Sequence, residues 1–181
     1  MKTLILYTSK TGNTKVYAED IAKKVQADVF PLKGFRAKKM VNYDTIVFGG
    51  WVQAGTIKGL DKFLSNYDAI KAKNVIVFSV GMSIPSPDGR ALLIEQNLLD
   101  MYHIRYYQIR GSFDIKKLHF PANVMILNSL KMMANDPQAT PEQKSLMDIK
   151  THPITVYDYE KIDKIVAVIN GLAFVQPSGA K

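Results

Sequence analysis

The sequence of 181 residues contains no cysteine, and that absence excludes several kinds of chemistry. A chain without thiols forms no disulfides, binds no metal through thiolates and offers no cysteine nucleophile. The three histidines, His103, His119 and His152, are dispersed, and no two share the i, i+4 spacing that places two ligands on one helix face. No Ser–His–Asp arrangement stands out either. The sequence therefore predicts no metal site, and it leaves catalytic residues unassigned.

Long hydrophobic runs and nucleotide fingerprints are also missing. The longest apolar candidate, residues 121–130, is interrupted by Asn123 and Asn128 and falls short of the roughly 18 residues that a membrane span needs. The opening MKTLILYTS turns polar too soon for a secretory signal. Neither G-x-x-x-x-G-K-[ST] nor G-x-G-x-x-G occurs, which argues against triphosphate hydrolysis and against NAD binding. A cytoplasmic protein is the expectation.

Acidic residues are scarce relative to basic ones, with 16 Asp and Glu against 24 Lys and Arg and a formal net charge of +8. A basic excess can indicate an anionic partner such as nucleic acid, a membrane surface or a cofactor phosphate. Scattered lysines can also form an ordinary solvated surface. The lysines are spread along the chain with one denser stretch at residues 33–39. We therefore expect no nucleic-acid partner, and a phosphate-bearing ligand remains the alternative to a solvated face.

Strand and helix patterns alternate five times along the chain. The near-continuous apolar runs TLILYT, TIVFGG, NVIVFSVG and IRYYQIRG, with the shorter ADVFPL, are typical of strands buried on both faces of a parallel sheet. Helical spacing follows the first run at Ala18, Ile21, Ala22 and Val25 and returns near the end at Ile162, Ile165, Val166 and Ile169. This alternation predicts a single doubly wound α/β domain over residues 1–181.

Shorter helices are predicted between and after the later strands. IKGLDKFLSNY reads as a short amphipathic piece, and SPDGRALLIEQNLLDMY as a helix capped by Ser86 or Asp88. Asp158 can cap the final helix. Residues 112–156 interrupt the alternation with the apolar helical stretch NVMILNSLKMM and a turn-rich segment, in which Thr140 can cap a short helix. A minimal connection needs only a few residues, so we interpret this region as an insertion.

The polar stretch after the first strand, TSKTGNT, has the chemistry of a phosphate loop. It leads into a helix N-terminus, where free N–H groups and the macrodipole favour an anion. Ser9, Thr11 and Thr14 add hydroxyl donors, Gly12 allows the backbone to approach a ligand, and Asn13 can cap the helix. A Ser/Thr-rich turn with an ordinary cap explains the same residues, and the loop by itself does not separate the two interpretations.

Two more stretches follow later strands, and ligands of open α/β sheets bind beyond the carboxyl ends of strands. After the third strand, Gly49 and Gly50 leave room for a flat ligand. Trp51, the only tryptophan, can form an aromatic wall or act as a core anchor. After the fourth strand, Gly81 and its neighbours can pass under a ring through their backbone.

The segment from Ser9 to Thr14 resembles the flavodoxin signature S/T-x-T-G-x-T, at the position after strand one where that family has it. The resemblance implies a flavodoxin-like fold, a five-stranded parallel sheet in the order 2-1-3-4-5 with a helical insertion after strand five, and noncovalent FMN as cofactor. It implies cofactor contacts at Ser9, Lys10, Thr11, Gly12, Asn13, Thr14, Gly50, Trp51, Val52, Gln53, Ala54, Gly55, Val80, Gly81, Met82 and Ser83. Ordinary flavodoxins carry an acidic residue and a stacking tyrosine in the third stretch, and this chain has neither before Asp88.

A closer resemblance covers nearly the whole chain. The opening MKTLIL, the Ser79–Val80 pair, the insertion from Arg110 to Met133 and the final helix YDYEKIDKIVAVI are similar to menaquinone-dependent protoporphyrinogen oxidases. The resemblance implies an oxidoreductase acting on an organic substrate such as a porphyrinogen, with a quinone as acceptor. The alternative is a flavodoxin that carries electrons between protein partners. Residues 116–133 have three open roles: peripheral contact with the inner face of a membrane, a cover over the flavin, and packing on the sheet.

Overall fold

The structure is a computed structural model that describes residues 1–102, 104–117, 120–138, 148 and 152–174, in which strands and helices alternate. The strands are β1 (Thr3–Tyr7), β2 (Asp28–Pro31), β3 (Thr45–Gln53), β4 (Thr56–Ile57), β5 (Asn74–Gly81) and β6 (Arg105–Arg110). The α-helices are α1 (Asn13–Val25), α2 (Leu60–Leu64), α3 (Pro87–Gln96), α4 (Ala122–Ala134) and α5 (Tyr159–Phe174). Short 3₁₀ helices occur at Ala37–Asn42, Tyr67–Ala69, Leu99–Tyr102 and Ile115–Lys117.

One sheet organises these elements. Its strands follow the order β2-β1-β3-β5-β6, every neighbouring pair is parallel, and β4 pairs antiparallel with the end of β3. The small strand β4 was not predicted. Without it the order is 2-1-3-4-5, so the predicted doubly wound five-stranded fold is confirmed. The carboxyl ends of β1, β3 and β5 share one edge, because Tyr7 pairs with Gly49 and Trp51 pairs with Val80.

Both faces of the sheet are buried, as the continuous apolar runs predicted. On one face, Leu4, Leu6, Ile46, Phe48 and Val77 pack with Leu60 and Phe63 of α2 and Leu93 of α3. Successive side chains of a strand alternate between faces. Ile5, Val47, Ile76 and Phe78, all fully buried, therefore belong to the opposite face, where α1 and α5 lie against each other.

The caps of two helices match the sequence. The Ser86 hydroxyl accepts from the Gly89 N–H at the start of α3, and an Asp158 carboxylate oxygen accepts from the Lys161 N–H at the start of α5. Tyr17 of α1 joins two chain segments, because its hydroxyl donates to the Arg110 carbonyl at 2.8 Å and accepts from the Asp158 N–H at 2.9 Å. These two hydrogen bonds of the Tyr17 hydroxyl connect the end of β6 with the start of α5.

Gly111–Tyr157 form a compact unit of their own, with nearly the bounds of the predicted insertion, while the rest of the chain forms the other unit. Within it, Phe113 and Ile154 exchange backbone hydrogen bonds at 2.8 Å. The predicted apolar helix is α4, with Leu130 buried and Val124, Met125 and Met132 exposed. The predicted cap Thr140 lies outside the described residues, as do His103 and His119. The single-domain interpretation stays a prediction.

A buried polar group lies between the sheet and α3. The Tyr106 and Ser79 hydroxyls share a hydrogen bond of 2.6 Å, and the Arg90 guanidinium lies 5.7 Å from the Tyr106 ring centre and donates to the Tyr106 carbonyl. The side-chain oxygen of Gln108, a residue 8% exposed, has no hydrogen-bond partner among the described residues. Burial raises the pKa of Tyr106 to about 12, although the Ser79 hydrogen bond and the Arg90 charge act in the opposite direction.

Tyr106 should therefore give the protein a measurable alkaline instability. The folded protein holds the phenolic proton more tightly than the unfolded chain, whose tyrosine pKa is 10.0. Its contribution is complete below pH 10 and declines as pH rises towards 12, by about 1–2 kcal/mol between pH 9 and pH 11. The free energy of unfolding, measured in urea at pH 9 and at pH 11, should fall less between these two pH values in a Tyr106→Phe, Ser79→Ala variant than in the wild type. The double change removes both hydroxyls, so neither is left without its hydrogen-bond partner. An equal pH dependence in the two proteins would contradict this assignment.

Candidate functional site

The loop after β1 is shaped by its glycine. Gly12 has a φ of 92° and occupies the N-cap position of α1. Its N–H donates to the Ser9 hydroxyl oxygen at 3.1 Å, and its carbonyl accepts the first helical hydrogen bond from Val16. Apart from its two chain neighbours, no atom of the described residues lies within 4 Å of the position that a Cβ on Gly12 would take. The loop is thus held open at the helix N-terminus, and only glycine adopts this backbone without strain.

The side chains of this loop offer donors and no carboxylate. Lys10 and Thr11 are exposed, Ser9 and Asn13 are half-buried, and Thr14 is buried. The Asn13 amide donates to the Thr11 hydroxyl at 3.3 Å. No acidic residue occupies the first turn of α1, so nothing there opposes an anion at the positive end of the helix dipole. The predicted phosphate-loop residues Ser9 to Thr14 are brought together around one helix end.

The second predicted stretch is a β-hairpin, so the interpretation of Trp51 to Gly55 as a loop was wrong for its first three residues. β3 continues through Trp51, Val52 and Gln53, and Val52 and Gln53 pair with Ile57 and Thr56 of β4. Only Ala54 and Gly55 form the turn, with φ values of 47° and 77°. Two consecutive residues with positive φ are the geometry of a tight hairpin whose twist matches its strands. β4 has only two residues, and a strand of that length leaves no hydrophobic pattern from which it could be predicted.

The space beside Gly49 and Gly50 is filled by the protein itself. A Cβ on Gly49 would come within 3 Å of three ring atoms of Phe78, and a Cβ on Gly50 would lie 2.5 Å from Ile57 and 3.0 Å from the Lys58 carbonyl. Packing explains why these positions are glycine on the side that a Cβ would take, and the expected room for a flat ligand stays a prediction. A contact between the Gly50 backbone and a cofactor stays a prediction.

Asn97, at the end of α3, holds the hairpin in place and was missed in the sequence. Its side-chain oxygen accepts from the Ile57 N–H, and its amide donates to the carbonyls of Gly55 and Leu93, all at 2.8 Å. The neighbouring Gln96 side chain fills the space in front of Gly55. Nothing in the local sequence could have found this role, because it depends on a contact between elements about 40 residues apart.

Thr8 is a second residue that sequence reasoning missed. Its hydroxyl donates to the Lys58 carbonyl after the hairpin, and its N–H donates to the Gly49 carbonyl. Lys58 in turn donates its N–H to the Trp51 carbonyl. Thr8 therefore fastens the start of the β1 loop to both ends of the hairpin. Its position at the end of an apolar run was the available signal, since a hydroxyl there can reach backbone groups of the adjacent strand.

The third predicted stretch follows β5, whose bounds Asn74–Gly81 are those of the predicted run NVIVFSVG. Val80 and Gly81 belong to β5, and Val80 is a buried core residue, so the loop itself starts at Met82. The Met82 carbonyl accepts from the Arg110 guanidinium at 3.2 Å. Met82 is half-buried and Ser83 is exposed, which leaves both beside the carboxyl end of β5.

The first and second stretches meet at Trp51. The Lys10 ammonium lies 5.2 Å from the centre of the Trp51 ring, within the range of a cation–π contact. Trp51 is half-buried and takes no part in the hydrophobic core, so the alternative that it is a core anchor is wrong. An aromatic face, a cation and a helix N-terminus therefore lie together at the carboxyl edge of the sheet.

Comparison with known proteins assigns this arrangement to a family. The sequence matches the flavodoxin domain family over residues 4–141. The chain belongs to that family. It is also 29% identical over 121 residues to an uncharacterized protein of Methanocaldococcus jannaschii, which covers 66% of this chain and 77% of that protein.

Solved structures of two flavodoxins and of a Trp repressor binding protein are similar to this chain at low sequence identity. The oxidised Flavodoxin 2 from Bacillus cereus is 22% identical, with a TM-score of 0.48, over 61% of this chain and 85% of its own. The two-electron reduced flavodoxin of Megasphaera elsdenii is 17% identical, with a TM-score of 0.46, over 81% of this chain and 96% of its own. The Trp repressor binding protein from Bacillus subtilis is 15% identical, with a TM-score of 0.48, over 83% and 99%.

The donor set fits the FMN that is typical of the flavodoxin family. A terminal phosphate needs N–H and hydroxyl donors without a competing carboxylate, and the loop from Ser9 to Thr14 offers them around the open side of Gly12. An isoalloxazine ring needs a flat wall, and Trp51 is half-buried beside that loop. Among the described residues, no group of three or more His, Asp or Glu side chains could hold a metal ion.

Proposed function

We propose that this flavodoxin-family protein binds FMN noncovalently and acts as an oxidoreductase. The observation that carries the proposal is the open N-terminus of α1, with Gly12 in a left-handed conformation and no acidic residue in the first turn, next to the half-buried Trp51. Family membership supports the same cofactor. When bound, FMN supplies the electron chemistry, and the protein supplies position and electrostatics.

The residues divide this work between them. The N–H groups at the start of α1, with the hydroxyls of Thr11 and Thr14, would hold the phosphate. The hairpin from Trp51 to Gly55, fixed by Asn97, would border one side of the ring, and the backbone of Gly81, Met82 and Ser83 would border the other. The Arg110 bond to the Met82 carbonyl would keep that second border in place.

Binding of FMN is the first test. The purified full chain, mixed with FMN, should quench the emission of Trp51, its only tryptophan, and retain flavin absorbance after gel filtration. Quenching is expected because a ring packed on Trp51 makes direct contact with the indole. A Trp51→Phe variant should still retain FMN, since a smaller aromatic wall remains. A chain that stays colourless after incubation with FMN would contradict the proposal.

For the reaction, we propose an oxidase of the protoporphyrinogen oxidase type, which removes electrons from a porphyrinogen-like substrate and passes them to a quinone. The net charge of +8 suits a substrate that carries several carboxylates or a site at an anionic membrane surface. The alternative, an electron carrier between proteins, is supported by the family name alone.

Peripheral membrane contact through residues 116–133 is the accompanying proposal. Phe120, Val124, Met125 and Met132 are exposed there, with Lys116 and Lys131 beside them. In the part of the chain that is described, no helix is both long and apolar enough to span a bilayer. An interfacial helix needs only one apolar face with basic flanks.

One anaerobic assay separates these roles. The FMN-loaded chain is mixed with protoporphyrinogen and a quinone analogue, with and without vesicles of anionic lipid. Turnover favours the enzyme, and faster turnover with vesicles, together with cosedimentation, favours membrane contact. No turnover, combined with rapid reduction by a ferredoxin-type reductase, would favour the carrier.

A further inference from the structure

Lys10 occupies an unusual place for a surface lysine. Its ammonium lies 5.2 Å from the Trp51 ring centre, although the side chain is exposed and has no ion pair among the described residues. Five other lysines do form ion pairs with Asp or Glu there. Attraction to the indole face holds a cation at the surface without neutralising it. The contact therefore favours a position of the Lys10 charge beside Trp51, and no ion pair among the described residues offsets that charge.

The neighbouring stretches do not offset this charge. The β1 loop contributes Lys10 and the hairpin and its continuation contribute Lys58, while the first carboxylates beyond the hairpin and beyond β5 are Asp61 and Asp88, in the first turns of α2 and α3. Charges at partly exposed sites act over about 10 Å, the Debye length at 0.1 M salt. Any group packed on Trp51 lies in the field of the Lys10 ammonium.

We infer that Lys10 raises the redox potential of the flavin, an inference that rests on the proposed binding of FMN. Uptake of two electrons and one proton from a reduced donor turns the neutral isoalloxazine ring into an anion. Trp51 would border the ring, and the Lys10 nitrogen lies 5.2 Å from the centre of Trp51, so the ammonium would act on the ring across about one Debye length or less. The ammonium attracts the reduced, anionic ring and leaves the neutral ring unaffected.

The direction in which Lys10 shifts the redox potential of the flavin indicates which kind of redox reaction the protein suits. A cation beside the ring makes the bound flavin a better electron acceptor, which suits oxidation of an organic substrate. A strongly reducing carrier needs the opposite arrangement, because carboxylates near the ring would destabilise its reduced form. Lys10 thus favours the oxidase over the low-potential carrier.

The experiment compares the full chain with three variants, each loaded with FMN. Lys10→Met removes the charge at similar length, and Lys10→Arg keeps it. Lys71→Met makes the same change in net charge three residues before β5, at the amino edge of the sheet. Dye-equilibrium titration gives the midpoint potential, and quenching of Trp51 gives the affinity for oxidised FMN.

Lys10→Met should lose about tenfold of the preference for reduced over oxidised FMN, which lowers the midpoint potential by about 30 mV. Lys10→Arg and Lys71→Met should match the wild type, and the difference should shrink in 1 M salt because the charge is screened. An unchanged midpoint in a Lys10→Met protein that binds FMN overturns this inference alone. A wild-type chain that binds no FMN overturns the proposed function, and the inference with it.

Fluorescence of the cofactor-free protein tests the contact between Lys10 and Trp51 independently of FMN. Because Trp51 is the only tryptophan, removal of the Lys10 charge should change its emission maximum or intensity, while Lys71→Met should leave both unchanged. Identical emission from wild type and Lys10→Met would overturn the contact on which the inference stands.

Discussion

Replacing Gly49 with alanine should destabilise the protein by about 3 kcal/mol, the upper part of the range for an overpacked core. The new Cβ would come within 3 Å of the Cζ, Cε1 and Cε2 atoms of Phe78. Phe78 is fully buried, so its ring cannot swing into solvent, and Gly49 is paired on both sides within the sheet. Thermal unfolding should occur roughly 6–12 °C lower than in the wild type.

A matched glycine and a compensating change identify the cause. Gly171→Ala, on α5, should be neutral or slightly stabilising, because no described atom outside the backbone of its own helix lies within 4 Å of its Cβ position and alanine favours a helix. Phe78→Leu shortens the opposing side chain, so the Gly49→Ala, Phe78→Leu pair should be more stable than the sum of its single changes predicts. If the losses of stability from the two single changes simply add in the double variant, the ring of Phe78 is not what excludes a Cβ at position 49.

The same variants decide what Gly49 does. If the double variant folds and binds FMN as the wild type does, the glycine serves packing. If it folds normally but loses FMN, the original expectation of space for a flat ligand is supported.

The arrangement of the sheet was predictable, because it depends on patterns that a few neighbouring residues carry. The strands around Ile5, Val47 and Ile76 are continuous apolar runs with a hydroxyl or a glycine at their ends, and only burial on both faces explains them. The candidate phosphate loop stood out for a similar reason, since its donors and its glycine are contiguous from Ser9 to Thr14.

The roles and contacts that sequence reasoning missed depend on interactions between distant parts of the chain. Position 49 has to be glycine because the Phe78 ring of the neighbouring strand lies against it. Asn97 is needed for its hydrogen bonds to the backbone of Ile57 and Gly55 in the hairpin. The contact between Lys10 and Trp51 joins two loops that sequence analysis assigned separately. Each of these depends on strand register and loop path, which local patterns of polarity do not encode.

Removing the hydroxyls of Thr11 and Thr14 should weaken FMN binding at least 100-fold with little effect on folding. Each hydrogen bond to a charged phosphate contributes about 1.5–3 kcal/mol, so two contribute about 3–6 kcal/mol, and each 1.4 kcal/mol is a factor of ten. Thr11 is exposed and can become alanine, whereas Thr14 is 1% exposed and should become valine, which preserves its volume. Urea unfolding should then agree with the wild type within about 1 kcal/mol.

Riboflavin is the control that makes this prediction specific, because it has the ring and ribityl chain of FMN and no phosphate. If the two threonines act on the phosphate, the Thr11→Ala, Thr14→Val protein should bind riboflavin as the wild type does, and the advantage of FMN over riboflavin should disappear. Equal FMN affinity in both proteins would place the phosphate away from the N-terminus of α1. An equal loss for FMN and riboflavin would instead mean that the substitutions displace Trp51 or the hairpin, to which Thr8 fastens this loop.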